Sequence, residues 1–268
     1  MIPFFRKIRK KMADDNRPLK PAWPAGRYMR YAVGEVVLVV IGILIALSIN
    51  NWNEERKDQL RLKNHYIELL NELKNDRNNL NGIIEVVREL NNQTFEISEF
   101  INTSKTKTDT TKIVVDLLDA ERYAFFSVSK SAYTTLISSG DIQLIENSKL
   151  KNALSIYHDV TNWSWTAHNG NLKAVIERYS YEIHRFLPPL LFRDFYKSTF
   201  SNNLKNETFN TFNSSKKPKI EWERLKNDEE FEPILNQLIA YRVFQLNFYN
   251  ALLENINDMI DLIETELK

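Results

Sequence analysis

An uninterrupted apolar block near the N-terminus limits most strongly what this chain can fold into. Ten of the twelve residues from Val36 to Leu47 are Val, Ile or Leu, and together they contribute about −3 to −6 kcal/mol to membrane insertion. As a helix, the 19 residues of segment 31–49 reach about 28 Å, close to the roughly 30 Å hydrocarbon thickness of a bilayer. Glu35 opposes insertion by at most about 3 kcal/mol and lies near one end. The block therefore predicts a transmembrane helix over 31–49.

Two other interpretations of the block are a buried core helix and a cleaved signal peptide. A core helix rarely carries so long an apolar run without a polar interruption. Ala46-Leu47-Ser48 loosely resembles a cleavage site, but about thirty residues precede the block, many more than a usual charged leader. We therefore expect an uncleaved anchor.

The charge on either side of the block predicts its orientation. Nine Lys or Arg and two Asp precede Tyr31, a net charge of +7, and because the whole chain carries +1 the remainder carries −6. By the positive-inside rule, segment 1–30 stays in the cytoplasm and 50–268 forms the extracytoplasmic domain. The chain has no cysteine, so this domain must be stabilised by packing rather than by disulfides.

The first twelve residues, MIPFFRKIRKKM, place apolar residues at helical spacing among cations. This pattern is typical of an amphipathic helix that lies on the inner leaflet, with its cations on anionic lipid headgroups. A disordered basic tag is the other interpretation. We expect no nucleic-acid partner, because no basic domain with aromatic residues follows. The predicted lipid contacts are Arg6, Lys7, Arg9, Lys10 and Lys11.

Helical periodicity dominates the rest of the chain and predicts an all-α fold. The anchor should continue into a long extracytoplasmic helix that ends near Thr103. A helical region broken near 124–127 is expected at about 112–139, and further helices at about 147–187 and from Asp228 onward. Together they predict an up-down helical bundle. The first helix carries a heptad seam typical of a coiled coil, formed by Leu62, Tyr66, Leu69, Leu73, Asp76, Leu80, Ile83, Val87, Leu90, Thr94, Ile97 and Ile101. The apolar stripe of the last helix is Ile234, Leu238, Tyr241, Phe248, Leu252, Ile256, Met259 and Ile263.

Signatures of catalysis are scarce, and the sequence favours a protein that is not an enzyme. It has no glycine-rich phosphate loop, nucleophile elbow or HExxH motif, and it predicts no metal and no cofactor. Trp163, Trp165 and His168 form the candidate ligand pocket, since an aromatic wall inside a bundle suits a small molecule. The alternative is that these three side chains are ordinary packing residues.

One face of the predicted anchor suggests self-association. Glu35, Gly42, Ala46 and Ile49 lie near whole helical turns from one another, and the small pair Gly42 and Ala46 permits close approach of a second helix. In a homo-oligomer, Glu35 would be hydrogen-bonded, protonated or paired with an arginine of a neighbour. Alternatively, its carboxylate extends to the inner headgroups.

Three stretches carry a resemblance to a known family: FFRKIRKK, YAVGEVVLVVIGILIALSINNWNEER and SAYTTLISSGDIQLIENSKLKNAL. They resemble an uncharacterised domain-of-unknown-function family of single-pass inner-membrane proteins from Gram-negative bacteria of the Bacteroidota type. The resemblance implies an inner-membrane location and a periplasmic domain. It supplies no established activity and no catalytic residues.

From these features we expect an oligomeric scaffold or an accessory subunit of an envelope complex. Its expected partners are membrane lipids, further copies of the chain and a membrane or periplasmic protein. The alternative is a sensor-like periplasmic module that binds a ligand. Such a module would have to signal through a partner, because only about thirty residues are expected in the cytoplasm.

Overall fold

Every regular element in the described part of the chain is a helix, as the sequence predicts. The computed structural model describes residues 24–103, 110–159, 163–192 and 220–268, without the side chains of 24–27 and 163–166. In chain order the elements are α1 (Pro24–Asn102), α2 (Thr110–Asp119), α3 (Ser131–Ser138), a 3₁₀ turn (Asp141–Leu144), α4 (Ser148–His158), α5 (Trp163–Phe186), α6 (Trp222–Lys226) and α7 (Phe231–Glu266).

The chain divides into two compact units, Met1–Gln59 and Leu60–Lys268. In the first unit the described residues form the N-terminal part of α1. Its most apolar 18-residue window is not buried at all, and among the described residues α1 is the one helix long and apolar enough to cross a membrane. A membrane-length helix is therefore present where the sequence predicts it.

The second unit contains two apolar clusters. One joins the 62–87 part of α1 to α4 and the C-terminal half of α7. The other joins residues 97–101 of α1 to α2, α5 and the N-terminal half of α7. Leu69 and Leu73 are each 1% exposed, and full burial of a leucine side chain contributes about 1.5–3 kcal/mol. The two long helices thus contribute to both clusters, whereas each shorter helix contributes to one.

The heptad seam of α1 is buried within the chain's own core. All of its predicted positions are buried except Ile83, which is half-buried beside the buried Ile84. The two polar members, Asp76 and Thr94, are both 0% exposed. The seam therefore packs against helices of the same chain.

The prediction of a single helix over 147–187 is wrong, because α4 ends at His158 and α5 begins at Trp163. Asp159, which follows α4, has a φ of −81° and a ψ of 46°, outside the α-helical region. The break lets α4 and α5 pack in different clusters. The predicted starts of α4 and α7 are confirmed: Asn147 Oδ1 accepts from Leu150 N at 3.1 Å, and Asp228 Oδ1 accepts from the amide of Phe231 at 3.0 Å.

Candidate functional site

The predicted association face lies on the exposed surface of α1. Glu35, Gly42, Ala46 and Ile49 are all exposed, and a Cβ atom built on Gly42 would meet nothing within 4 Å. The side chains in this part of the helix are therefore open to lipid or to another protein.

Three other groups of predicted site residues have different outcomes. The basic residues Arg6, Lys7, Arg9, Lys10 and Lys11 lie outside the described residues, as do the side chains of Trp163 and Trp165 in the first turn of α5. His168 is buried, and its ring lies 4.4 Å from Phe244 and 5.5 Å from Tyr241 of α7, centroid to centroid. Burial lowers the pKa of His168, which favours the neutral imidazole at pH 7. His168 therefore packs as an aromatic residue against α7.

The linker between α2 and α3, residues 120–130, forms several of its backbone hydrogen bonds with polar side chains of other elements. Because unpaired buried backbone groups are unfavourable, such a segment needs partners outside itself. Three residues of the buried face of α7 provide them. Arg242 donates to the carbonyl of Ala120 at 2.7 Å, Gln245 donates to the carbonyl of Ala124 at 2.9 Å, and the Tyr249 hydroxyl accepts from the amide of Phe126 at 2.9 Å.

Two carboxylates of α1 bind the end of the same linker and the first turn of α3. Asp76 accepts from the Ser129 hydroxyl at 2.6 Å, the Ser129 amide at 3.1 Å and the Tyr157 hydroxyl at 2.6 Å. Glu72 accepts from the amide of Ala132 at 2.9 Å, which caps the N-terminus of α3 with negative charge. The buried Asp76 thus links α1, the linker and α4 in one polar cluster.

His158 lies beside this cluster and is 7% exposed. Its ring stacks on Tyr133 with centroids 4.2 Å apart and meets the edge of Tyr157 at 5.0 Å. Neither ring nitrogen has a hydrogen-bond partner among the described residues. Burial lowers the pKa of His158 to about 4, although Asp76 acts in the opposite direction. The imidazole is therefore neutral at pH 7.

We expect the bundle to lose stability as pH falls from about 6.5 to 4, because the unfolded chain then binds a proton that folded His158 does not. A shift from 6.5 to about 4 corresponds to about 3 kcal/mol at most, which solvent screening reduces to about 2 kcal/mol. The His158→Phe variant keeps the stacked ring without the titrating group. Urea unfolding of the full chain in detergent should therefore show a flatter pH dependence for the variant, and parallel curves would contradict the expectation.

The Ser138-Ser139-Gly140 motif places Asp141 against α1. Gly140 adopts a φ of 79° after α3, a conformation that favours glycine. Asp141 Oδ2 lies 3.0 Å from His65 Nε2, and Oδ1 accepts from Arg61 at 3.4 Å. These hydrogen bonds, with that from His65 the largest cause, lower the pKa of Asp141. The motif thus holds the Asp141 carboxylate against α1.

The described residues contain no group of three or more His, Asp or Glu placed to hold a metal ion.

The described elements define an all-α protein with one membrane-length helix and a separate helical unit. Residues 35–183 match a family of unknown function, DUF6090. Because this range covers more than half of the 268 residues, the chain belongs to that family. No curated protein and no solved structure matches the chain.

The matched range confirms that the chain belongs to an uncharacterised family, as the sequence predicts. It begins at Glu35 and ends at Ile183, so it contains Asp76, His158 and the motif that ends in Gly140. It does not contain α7. The polar side chains with which α7 binds the linker therefore lie outside the matched range.

Proposed function

We propose that the protein is a single-pass inner-membrane protein that acts by association, as an oligomeric scaffold or an accessory subunit of an envelope complex. Its N-terminus lies in the cytoplasm and its helical bundle in the periplasm. The observation that carries the proposal is the exposed face formed by Glu35, Gly42, Ala46 and Ile49 on a membrane-length helix. Small residues permit two helices to approach closely within lipid, and a polar side chain there favours a protein neighbour.

The charge distribution supports the orientation. The net charge of +7 before Tyr31 contrasts with −6 for the rest of the chain, and cytoplasmic flanks of membrane helices are enriched in Lys and Arg. The basic residues at 6–11 would add contacts with anionic headgroups of the inner leaflet.

The heptad seam does not support association, because its residues are buried in the chain's own core. The proposal therefore depends on the membrane segment, and any further partner must use another surface of the bundle.

The first test is native mass spectrometry of the full-length protein, extracted gently from its own membranes. We expect a defined homo-oligomer or a stoichiometric complex with another protein. A monomer that carries a small bound molecule would contradict the association function and favour the sensor-like alternative.

We expect Gly42→Leu to weaken self-association about tenfold, which corresponds to about 1.4 kcal/mol. The leucine side chain would prevent the close helix approach that a small residue permits. The matched control is Val40→Leu, because a position two residues away lies about 200° around the helix and Val40 is also exposed. Energy transfer between labelled copies in lipid nanodiscs or vesicles measures the association. Equal effects of the two substitutions would contradict the assigned face.

A further inference from the structure

A groove of about 790 Å³ runs between α4 and the C-terminal half of α7. Its lining combines buried and partly exposed apolar side chains. Tyr157, Leu252 and Met259 are at least nine-tenths buried, Leu262 is half-buried, and Ile156 is 63% exposed. An isoleucine this exposed beside other apolar residues leaves apolar surface that a partner can cover.

The charged side chains that line the groove are predominantly acidic. They are Asp159, Asp258 and Asp261 against the single lysine Lys149. Asp258 and Asp261 are exposed, and neither forms an ion pair with a described residue. Asp258 and Asp261 are three residues apart on α7 and line the groove beside Leu262, so negative charge borders the apolar surface. The groove is therefore complementary to an occupant that is both apolar and cationic.

We propose that this groove binds a cationic amphipathic helix of a partner protein. A helix of about three turns matches the 11 residues of α4. Its apolar residues, spaced by three and four, pack against Ile156 and Leu262. Its Lys or Arg side chains face Asp258 and Asp261, and the charge increases the rate of encounter and fixes the orientation.

The inference specifies the partner class of the proposed association function, on which it rests, but it uses a surface different from the membrane face. The two can therefore fail separately. Gly42→Leu should leave binding at the groove unchanged, and substitutions in the groove should leave self-association through the membrane helix unchanged.

The test uses the full-length protein in nanodiscs of uncharged lipid, with empty nanodiscs as the blank. The probe is a synthetic Leu/Lys amphipathic helix, compared with a Leu/Glu helix of the same length and pattern. Fluorescence anisotropy measures binding to the wild type, to Asp258→Asn/Asp261→Asn and to Ile156→Asn. The matched control is Glu89→Gln/Glu99→Gln, which removes two exposed carboxylates from α1. All these substitutions are at exposed positions, so we expect the variants to fold.

We expect the Leu/Lys helix to bind the wild type, with an affinity that falls as salt rises. Both groove variants should weaken binding at least about tenfold, whereas the α1 control should stay within about twofold. Equal weakening by Asp258→Asn/Asp261→Asn and by the α1 control would mean that binding depends on net charge alone, and it would overturn the proposal. Binding of the Leu/Glu helix, or native mass spectra in which a second copy or a small molecule is lost on Ile156→Asn, would also overturn it.

Discussion

Replacing Asp76 with alanine is expected to lower the free energy of unfolding of the bundle by about 4 kcal/mol. The carboxylate is 0% exposed and accepts three hydrogen bonds, from the amide and hydroxyl of Ser129 and from the hydroxyl of Tyr157. Hydrogen bonds to a charged group contribute about 1.5–3 kcal/mol each, and a buried donor left without an acceptor costs about 1–3 kcal/mol. The expected loss stays below the sum because the three bonds share one acceptor group.

Urea unfolding of the full-length chain in detergent, followed by far-ultraviolet circular dichroism, measures this effect. Asp76→Asn keeps the volume and one acceptor oxygen but turns an amide donor toward other donors, so a loss of about 2 kcal/mol is expected. Asp258→Ala is the matched control at an exposed position, with an expected change within about 0.5 kcal/mol. A loss below about 1 kcal/mol for Asp76→Ala would mean that the polar cluster does not hold the linker.

The long first helix could be predicted almost completely from sequence. Its apolar residues recur with alternating spacings of four and three, and nearly every predicted position is buried. The exceptions to the apolar pattern, Asp76 and Thr94, mark where the core contains hydrogen bonds to other elements. A polar residue in a regular seam is therefore a local signal, but its partners are distant in sequence and could not be predicted.

The last helix was predicted less accurately. The predicted stripe passes through Tyr241 and Phe248, which are half-buried, whereas their neighbours Arg242 and Tyr249 are 1% and 0% exposed. The regular spacing of Leu238, Arg242, Gln245, Tyr249 and Leu252 contains the missed signal. Hydrophobicity alone favours the aromatic positions, because the reason to bury an arginine is an irregular linker more than 100 residues away.

The candidate sites differ in how far sequence could identify them. The membrane face follows from helical geometry on one segment and needs no tertiary structure. The groove could not be predicted, because it depends on the break after His158 that ends α4 and on the packing of that helix against α7. The cluster around Asp76 could be predicted in part. The sequence indicates its central carboxylate, because Asp76 interrupts the apolar seam, but it does not indicate the partners Ser129 and Tyr157.

Replacing Arg242 with alanine is expected to lower the free energy of unfolding by about 4 kcal/mol. Its guanidinium is 1% exposed and donates to the carbonyls of Leu90 and Ala120 and to the Thr94 hydroxyl, at 2.9, 2.7 and 2.6 Å. Burial lowers the pKa of Arg242 to about 10, so the group still carries its charge at pH 7. Truncation leaves a cavity in addition to unpaired acceptors, and losses of this size are typical of large buried side chains.

Arg242→Met separates the packing of this side chain from its charge. Methionine retains much of the buried volume and removes both the hydrogen bonds and the cost of burying a cation, so we expect a smaller loss of about 1–2 kcal/mol. The carbonyl of Ala120 lies just beyond the C-terminus of α2, where a positive charge interacts favourably with the helix dipole. This interaction should keep the wild type more stable than Arg242→Met in the same urea titration. A methionine variant more stable than the wild type would mean that desolvation of the guanidinium outweighs its three hydrogen bonds, and it would contradict a stabilising role for Arg242.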